Sequence, residues 1–195
     1  MKSKINDIYR KNNTKRILQG DLITEVRIPV INEGQVTFLN SEYNIILSQD
    51  CDLNQDFNAH NDILSPSFKE SNKQISALNN KMIPSILICP TYPAEHFRKG
   101  EHLDFLDLEM TRIGKAKSTP WKNIIHNDNP RYHYLGKSEL IDLPDFVIDF
   151  KRYYTISRDY IYDIYEESYC ISLNELYRED LSNRFCNFQS RIGLP

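Results

Sequence analysis

Tyr43-Asn44-Ile45-Ile46-Leu47-Ser48-Gln49-Asp50-Cys51-Asp52-Leu53 runs from an apolar stretch straight into polar and ionisable groups. A short β-branched and aliphatic run of this kind predicts a buried strand. Packing alone does not require the polar cluster at its end. Ser48, Gln49, Asp50 and Asp52 set four polar side chains around one thiol, Cys51, at a strand-to-loop corner. The strand fixes the backbone there and the loop presents the side chains, so this corner is the first candidate binding surface.

Upstream, Gly20-Asp21 opens a strand through Leu22, Ile23, Val26, Ile28, Val30 and Ile31, and Pro29 places it at an edge or bulge. Glu33-Gly34 reads as a turn, 36–39 as a second strand and 43–48 as a third, with links short enough for antiparallel hairpins. Residues 54–82 are rich in Asn, Asp, Ser and Lys and predict a long loop with one short helix near 73–81. Residues 83–90 (IPSILICP) form another buried strand, ending at Thr91-Tyr92-Pro93. Phe97, Leu103, Leu106 and Leu108 predict a helix over 94–108, broken at Gly100. Residues 131–135 alternate as a strand, 146–150 start another, and 153–162 continue it as one bent strand or two. Ser172-Leu173-Asn174-Glu175 reads as a capping box opening a terminal helix. Leu173, Leu176, Tyr177, Leu181, Phe185, Phe188 and Ile192 mark its apolar face, and Gly193 and Pro195 stop it.

The 195 residues suit one domain, and 40 % hydrophobic content supplies a core. Twelve Tyr and nine Phe against six Gly favour aromatic-rich strands over a glycine-laced phosphate binder. A net charge of −3 means that nucleic-acid binding would need a local basic patch. No apolar run approaches the ~20 residues of a membrane helix, and 1–19 is polar and basic, without the apolar core of a signal peptide. A cytoplasmic protein is expected. Cys51, Cys89, Cys170 and Cys186 show no CxxC spacing and are expected to be reduced thiols.

Four segments share an order: Gly20-Asp21-Leu22-Ile23; Ile45-Ile46-Leu47-Ser48; Ile86-Leu87-Ile88-Cys89-Pro90-Thr91; and Val147-Ile148-Asp149 with Thr155-Ile156-Ser157-Arg158. In this order the chain resembles the PemK/MazF-type toxin family, whose fold is a small SH3-like barrel with attached helices. The resemblance spans scattered parts of 20–160 and implies that Thr91 occupies the family's active-site threonine position. Where the family carries an arginine before the strand ending in Ser, this chain reads Ser41-Glu42-Tyr43-Asn44. Without that cation the motif offers no charge to a scissile phosphate, unless Arg27 or Arg131 replaces it in space.

Several residues admit two readings. Cys51 is either a nucleophile served by one of His60, His96, His102, His126 or His133, or a small residue turning a strand into its loop. A metal held by Asp50, Cys51, Asp52, Cys89 and a histidine lacks CxxC or HxxxH spacing; the alternative is carboxylates accepting backbone N–H bonds. Arg131, Lys151, Arg152 and Arg158 among Tyr132, Tyr134, Tyr153, Tyr154 and Tyr160 read as a single-stranded nucleic-acid surface or as a half-buried sheet. Arg178, Arg184 and Arg191 read as the solvated side of the last helix, and Trp121 as a core or rim anchor. The terminal helix covers its own barrel or docks on a partner chain.

Together these readings predict an α+β protein, a bent antiparallel sheet forming an SH3-like barrel with a helical insertion and a C-terminal amphipathic helix. Residues 1–19 are a basic arm, 20–165 the barrel domain with its insertion at 54–82, and 166–195 the terminal helix packed on it. The function expected is a non-enzymatic binding or accessory module of a bacterial toxin–antitoxin or defence-type system. Its partner is single-stranded nucleic acid, another protein or a second copy, with no cofactor, metal or membrane. Its binding surface is expected where Ser48–Asp52 meets Thr91. The alternatives are an endoribonuclease of the PemK/MazF type using Thr91, and a thiol- or metal-dependent hydrolase centred on Cys51.

Overall fold

Ile45 lies in one core with Leu22, Cys89 and Ile171, while its neighbour Ile46 lies in a second with Ile23, Leu53 and Ile88. Successive strand residues face opposite sides of a sheet, so burial on both sides explains why these strands read as continuous apolar runs. The computed structural model describes residues 7–138 and 140–191. Its strands are β1 (Tyr9–Arg10), β2 (Asp21–Asn32), β3 (Gln35–Ile46), β4 (Ser85–Pro93), β5 (Tyr132–Leu135), β6 (Phe146–Asp149), β7 (Tyr154–Ser157) and β8 (Tyr169–Leu173). Its helices are α1 (Asp50–Leu64), α2 (Asn72–Asn79), α3 (Ala94–Lys99), α4 (Thr119–Ile125), α5 (Arg158–Ser168) and α6 (Glu175–Gln189). All strand pairs are antiparallel, in the order β1-β8-β2-β3-β4-β6-β5 with β7 beside β4. The result is an α+β protein whose sheet curls into a half-barrel.

α6 lays Leu181, Tyr177, Phe185 and Phe188 on the first core, and Leu53, Ile161 and Tyr165 from α1 and α5 cover the second. A third cluster joins Trp121 and Ile124 of α4 to Phe97, Leu103 and Tyr92, so Trp121 is a core residue. Gly20 has φ +82°, and a Cβ there would stand 3.1 Å from that of Leu173, which explains the glycine before β2. Asp21 beside it is fully buried and accepts from the Leu18 amide, the Tyr165 hydroxyl and the Ser172 hydroxyl. Pro29 does lie on a stretch of β2 paired on one side only, with β3. The Glu33-Gly34 turn has φ +49° and +79°, the two-residue type I′ geometry of a tight hairpin.

The structure corrects several expectations. Strands two and three are one twelve-residue strand, β3. Residues 54–64 are helical, not loop, and Cys51 lies in the first turn of α1 rather than at a strand-to-loop corner. The helix was hidden because Leu53, Asp56 and Ala59 are its buried positions, and an aspartate breaks the apolar stripe. The short helix near 73–81 is α2. Residues 158–162 belong to α5, whose Ile161, Tyr165 and Ser168 are buried at helical spacing despite strand-favouring residue types. The helix over 94–108 stops at Gly100, leaving a separate 3-10 turn at Asp104–Leu106. Ser172 is no cap; it sits in β8, and the cap is Asn174, whose side chain accepts from the Glu175 amide at 3.0 Å. Tyr9–Arg10 of the basic arm pair with β8. Ile192, Gly193 and Pro195 lie outside the described residues.

Among the described residues, no helix is long and apolar enough to cross a membrane. The four cysteines are free thiols.

Candidate functional site

β3 and β4 pair only where Asn44, Ile45 and Ile46 meet Pro90, Cys89 and Ile88. Pro90 has no N–H to extend the ladder. Beyond it β4 pairs with β6 through Thr91, Tyr92 and Pro93, while the rest of β3 runs beside β2. The wedge between the parting strands is a cleft of about 290 Å³. Residues 40–43 form one wall, 91–93 the other, and His96, Glu101, His102 and Phe105 the roof. Gly100 sets that roof in place. Its φ of +83° ends α3, and a Cβ there would clash with the Met110 carbonyl oxygen. The following segment is tied back by the Ile113 amide donating to the Arg98 carbonyl at 2.9 Å.

His102 is the unusual group of this cleft. It is 8 % exposed, with its ring 4.2 Å from Phe97 and 4.9 Å from Tyr92 between centroids. Neither ring nitrogen has a hydrogen-bond partner among the described residues. Burial pushes its pKa down to about 4, so the ring is neutral at pH 7. An unsatisfied buried polar group costs about 1–3 kcal/mol, and this one borders an open cleft. Thr91 is also buried, and its hydroxyl donates to the Cys89 carbonyl at 3.3 Å. Glu42, His96 and Glu101 are exposed at the rim. Among the described residues neither Lys nor Arg lines the cleft. Arg27 stacks on Phe38 at 4.5 Å instead, and Arg131 is bound to Asp149.

The corner at 48–52 is a separate place. The Ser48 hydroxyl accepts from the Leu87 amide at 2.7 Å. Gln49 precedes α1 as its N-cap residue without a side-chain cap bond. Asp50 takes a two-pronged bond from Arg16, at 3.0 and 3.1 Å, with Arg178 at 3.5 Å. Burial opposes its ionisation, but those partners hold its carboxyl below the usual range. Cys51 is exposed, its sulfur 3.6 Å from Gln49 Oε1 and from Asp52 Oδ1. The cavity Cys51 borders contains no histidine, and neither it nor the cavity beside Ser48 includes Thr91. Ser48–Asp52 and Thr91 therefore do not share a surface.

The basic residues are also dispersed. Arg131 donates to the buried Asp149 at 2.8 Å, and Arg152 lies 3.9 Å from the same carboxylate. Lys151 is exposed, with its backbone amide on Asp149. Arg158 donates to the fully buried Asp56 at 2.8 Å and stacks over Tyr162 at 4.0 Å. Tyr132 packs on Phe97, and Tyr154 and Tyr160 pack on the second core. Arg184, read as solvated, donates to the Asn129 and Tyr132 carbonyls, and Arg178 binds Asp50. Among the described residues no group of three His, Cys, Asp or Glu is placed to hold a metal ion.

Sequence reasoning named Thr91, and 41–44 only as lacking the family's arginine. The fold sets both in one cleft with His96 and His102, offered there as partners of Cys51, and with Glu101, which sequence reasoning did not name. His102 lies next to Leu103 in a stretch whose apolar spacing reads as packing, so only the fold brings it to Thr91. Compared with protein-family models, curated proteins and solved structures, the chain finds no match in any of the three.

Proposed function

We propose that this chain is a non-enzymatic binding module for another protein, with the cleft between β3 and β4 as its binding site. One observation carries the reading. The guanidinium groups that could track phosphates are held by carboxylates, Arg131 by Asp149 and Arg158 by Asp56, while Glu42 and Glu101 line the cleft beside Thr91. A surface whose cations are neutralised and whose cleft carries carboxylates repels a nucleic-acid backbone and suits a polypeptide. The half-barrel sheet and the four ordered segments are in keeping with a diverged SH3-like barrel of the PemK/MazF type. On that resemblance the module serves a toxin–antitoxin or defence-type system in the bacterial cytoplasm.

A second reading, an endoribonuclease, is favoured by Thr91 lining the same cleft as His96 and His102. A labelled single-stranded RNA pool separates the two. Incubated with wild type, Thr91→Ala and Cys51→Ala proteins, it should stay intact in all three, with any retention lost by about 0.15 M salt. Cleavage by the wild type that disappears in Thr91→Ala would overturn the binding-module reading.

A further inference from the structure

We propose that the outer edge of β3 is a docking strand for an extended segment of a partner protein, and that this segment places a Lys or Arg side chain in the adjoining cleft. The inference rests on the protein-binding reading above and names the partner's chemistry.

Unpaired strand edges are ordinarily blocked, and the other edges of this sheet are. On β5, Asn127 imitates a strand: its Oδ1 accepts from the Tyr134 amide at 2.7 Å and its Nδ2 donates to the Tyr134 carbonyl at 3.3 Å. On β2, Pro29 offers no N–H, and the Arg27 amide is taken by the Tyr160 hydroxyl at 3.0 Å. β1 has two residues and β7 four. Among the described residues β3 carries no such device from Val36 to Asn40. In a two-residue hairpin the closing pair, here Asn32 and Gln35, exchanges both hydrogen bonds. Alternation then turns the amides and carbonyls of Val36, Phe38 and Asn40 away from β2. Arg27 and Pro29, across from Asn40 and Phe38, point outward on the opposite side by the same rule.

This edge runs into the cleft, whose wall starts at Asn40. Phe38 and Val36 are 52 % and 62 % exposed, with Ile31 across from Val36 at 80 %. That strip, apolar except where the Arg27 guanidinium stacks on Phe38, would seat the partner's alternate side chains, as in strand addition generally. Phe38 and Glu42 are about 13 Å apart along a strand, so about six to eight residues would span strip and cleft. Charge chooses the anchor. Glu42 and Glu101 line the cleft, and among the described residues only Glu101 of the two has a lysine nearby, Lys99 at 3.8 Å. His102, also in the cleft lining and neutral at pH 7, adds no competing positive charge there.

The test selects phage-displayed random linear peptides on the intact chain and measures the winners by fluorescence anisotropy. Selected peptides should carry Lys or Arg beside alternating β-branched or aromatic residues. Glu42→Lys should weaken them about tenfold or more. Asn40→Pro, which removes an outward amide together with a cleft-lining side chain, should weaken them similarly, and clearly more than Asn40→Ala, which removes the side chain alone, while the circular dichroism spectrum is unchanged. Methylating alternate peptide nitrogens should abolish binding without touching the protein. Selection of no binder, or of binders indifferent to Glu42→Lys and to N-methylation, overturns the proposal; the latter binders would leave the protein-binding reading intact. RNA cleavage lost in Thr91→Ala removes both. A concentration-dependent dimer that Asn40→Pro dissociates assigns the edge to a second copy and also overturns the proposal.

Discussion

His133 is 2 % exposed, and neither of its nitrogens has a hydrogen-bond partner among the described residues. Three groups face it: the Phe150 ring at 6.2 Å, the Arg184 guanidinium, and Asp180, whose Oδ2 is 3.9 Å from Nδ1, beyond hydrogen-bond reach. Asp180 is half-exposed and water-screened, so burial, aided by Arg184, wins and pushes the imidazole down to about 3. His102 moves the same way, to about 4. A histidine whose folded pKa lies below its unfolded one contributes stability above pH ~6.5 that is lost as pH falls, because the unfolded chain takes up the proton first. Asp21 acts in the opposite sense: burial raises it to about 6, so its contribution fades as pH rises from ~4 through 6. Two histidines outweigh one carboxyl. Urea unfolding should therefore show the protein weaker at pH 4.5 than at pH 7, and His133→Leu should remove on the order of 2 kcal/mol of that difference. Equal pH dependence in wild type and variant would refute this account. None of it was legible in the sequence, where His133 is one polar residue of an alternating strand.

Among the elements, α3 and its left-handed terminus control the cleft most directly. Gly100→Ala would have to hold an L-residue at φ +83° with its Cβ against the Met110 carbonyl. The variant should lose about 2 kcal/mol or more, and the NMR-measured pKa of His102 should rise from about 4 toward the ordinary histidine value as the roof lifts. An unchanged His102 titration would mean that Gly100 does not hold the roof. The sequence signalled this break, because glycine interrupts an otherwise helical spacing. It also signalled β2, β4 and α6, where apolar runs or stripes face a core. It failed at α1 and α5. Asp56 stands where a helix stripe calls for an apolar residue, and Ile161 and Tyr165 belong to types that strands favour. The failure at α1 has its cause elsewhere in the chain, since the partners of Asp56 include Arg158, 102 residues away, and the Ile83 amide.

At the scale of the whole molecule that ion pair joins α1 to α5, and Asp56 also accepts from the Ile83 amide at 3.1 Å, just before β4. Arg158→Ala would leave a fully buried carboxylate without its cation, a loss of about 3–5 kcal/mol in urea unfolding. A loss below about 1 kcal/mol would mean that water or His60, 3.3 Å away, satisfies Asp56 unaided. The cleft, too, belongs to this scale. Thr91 was singled out from the sequence and 41–44 only for its missing arginine, but their meeting depends on two strands parting at Pro90, and their meeting with His102 depends on the segment after α3 folding over them. The sheet that results is lopsided. One flank of the β2–β3 ribbon is shut by a proline and a tyrosine hydroxyl, the other is bare. A cross-β fibril needs every unit to present two sticky sides, as a polymer needs bifunctional monomers. A unit with one such side is a chain stopper: it can take up a single strand, and growth ends there.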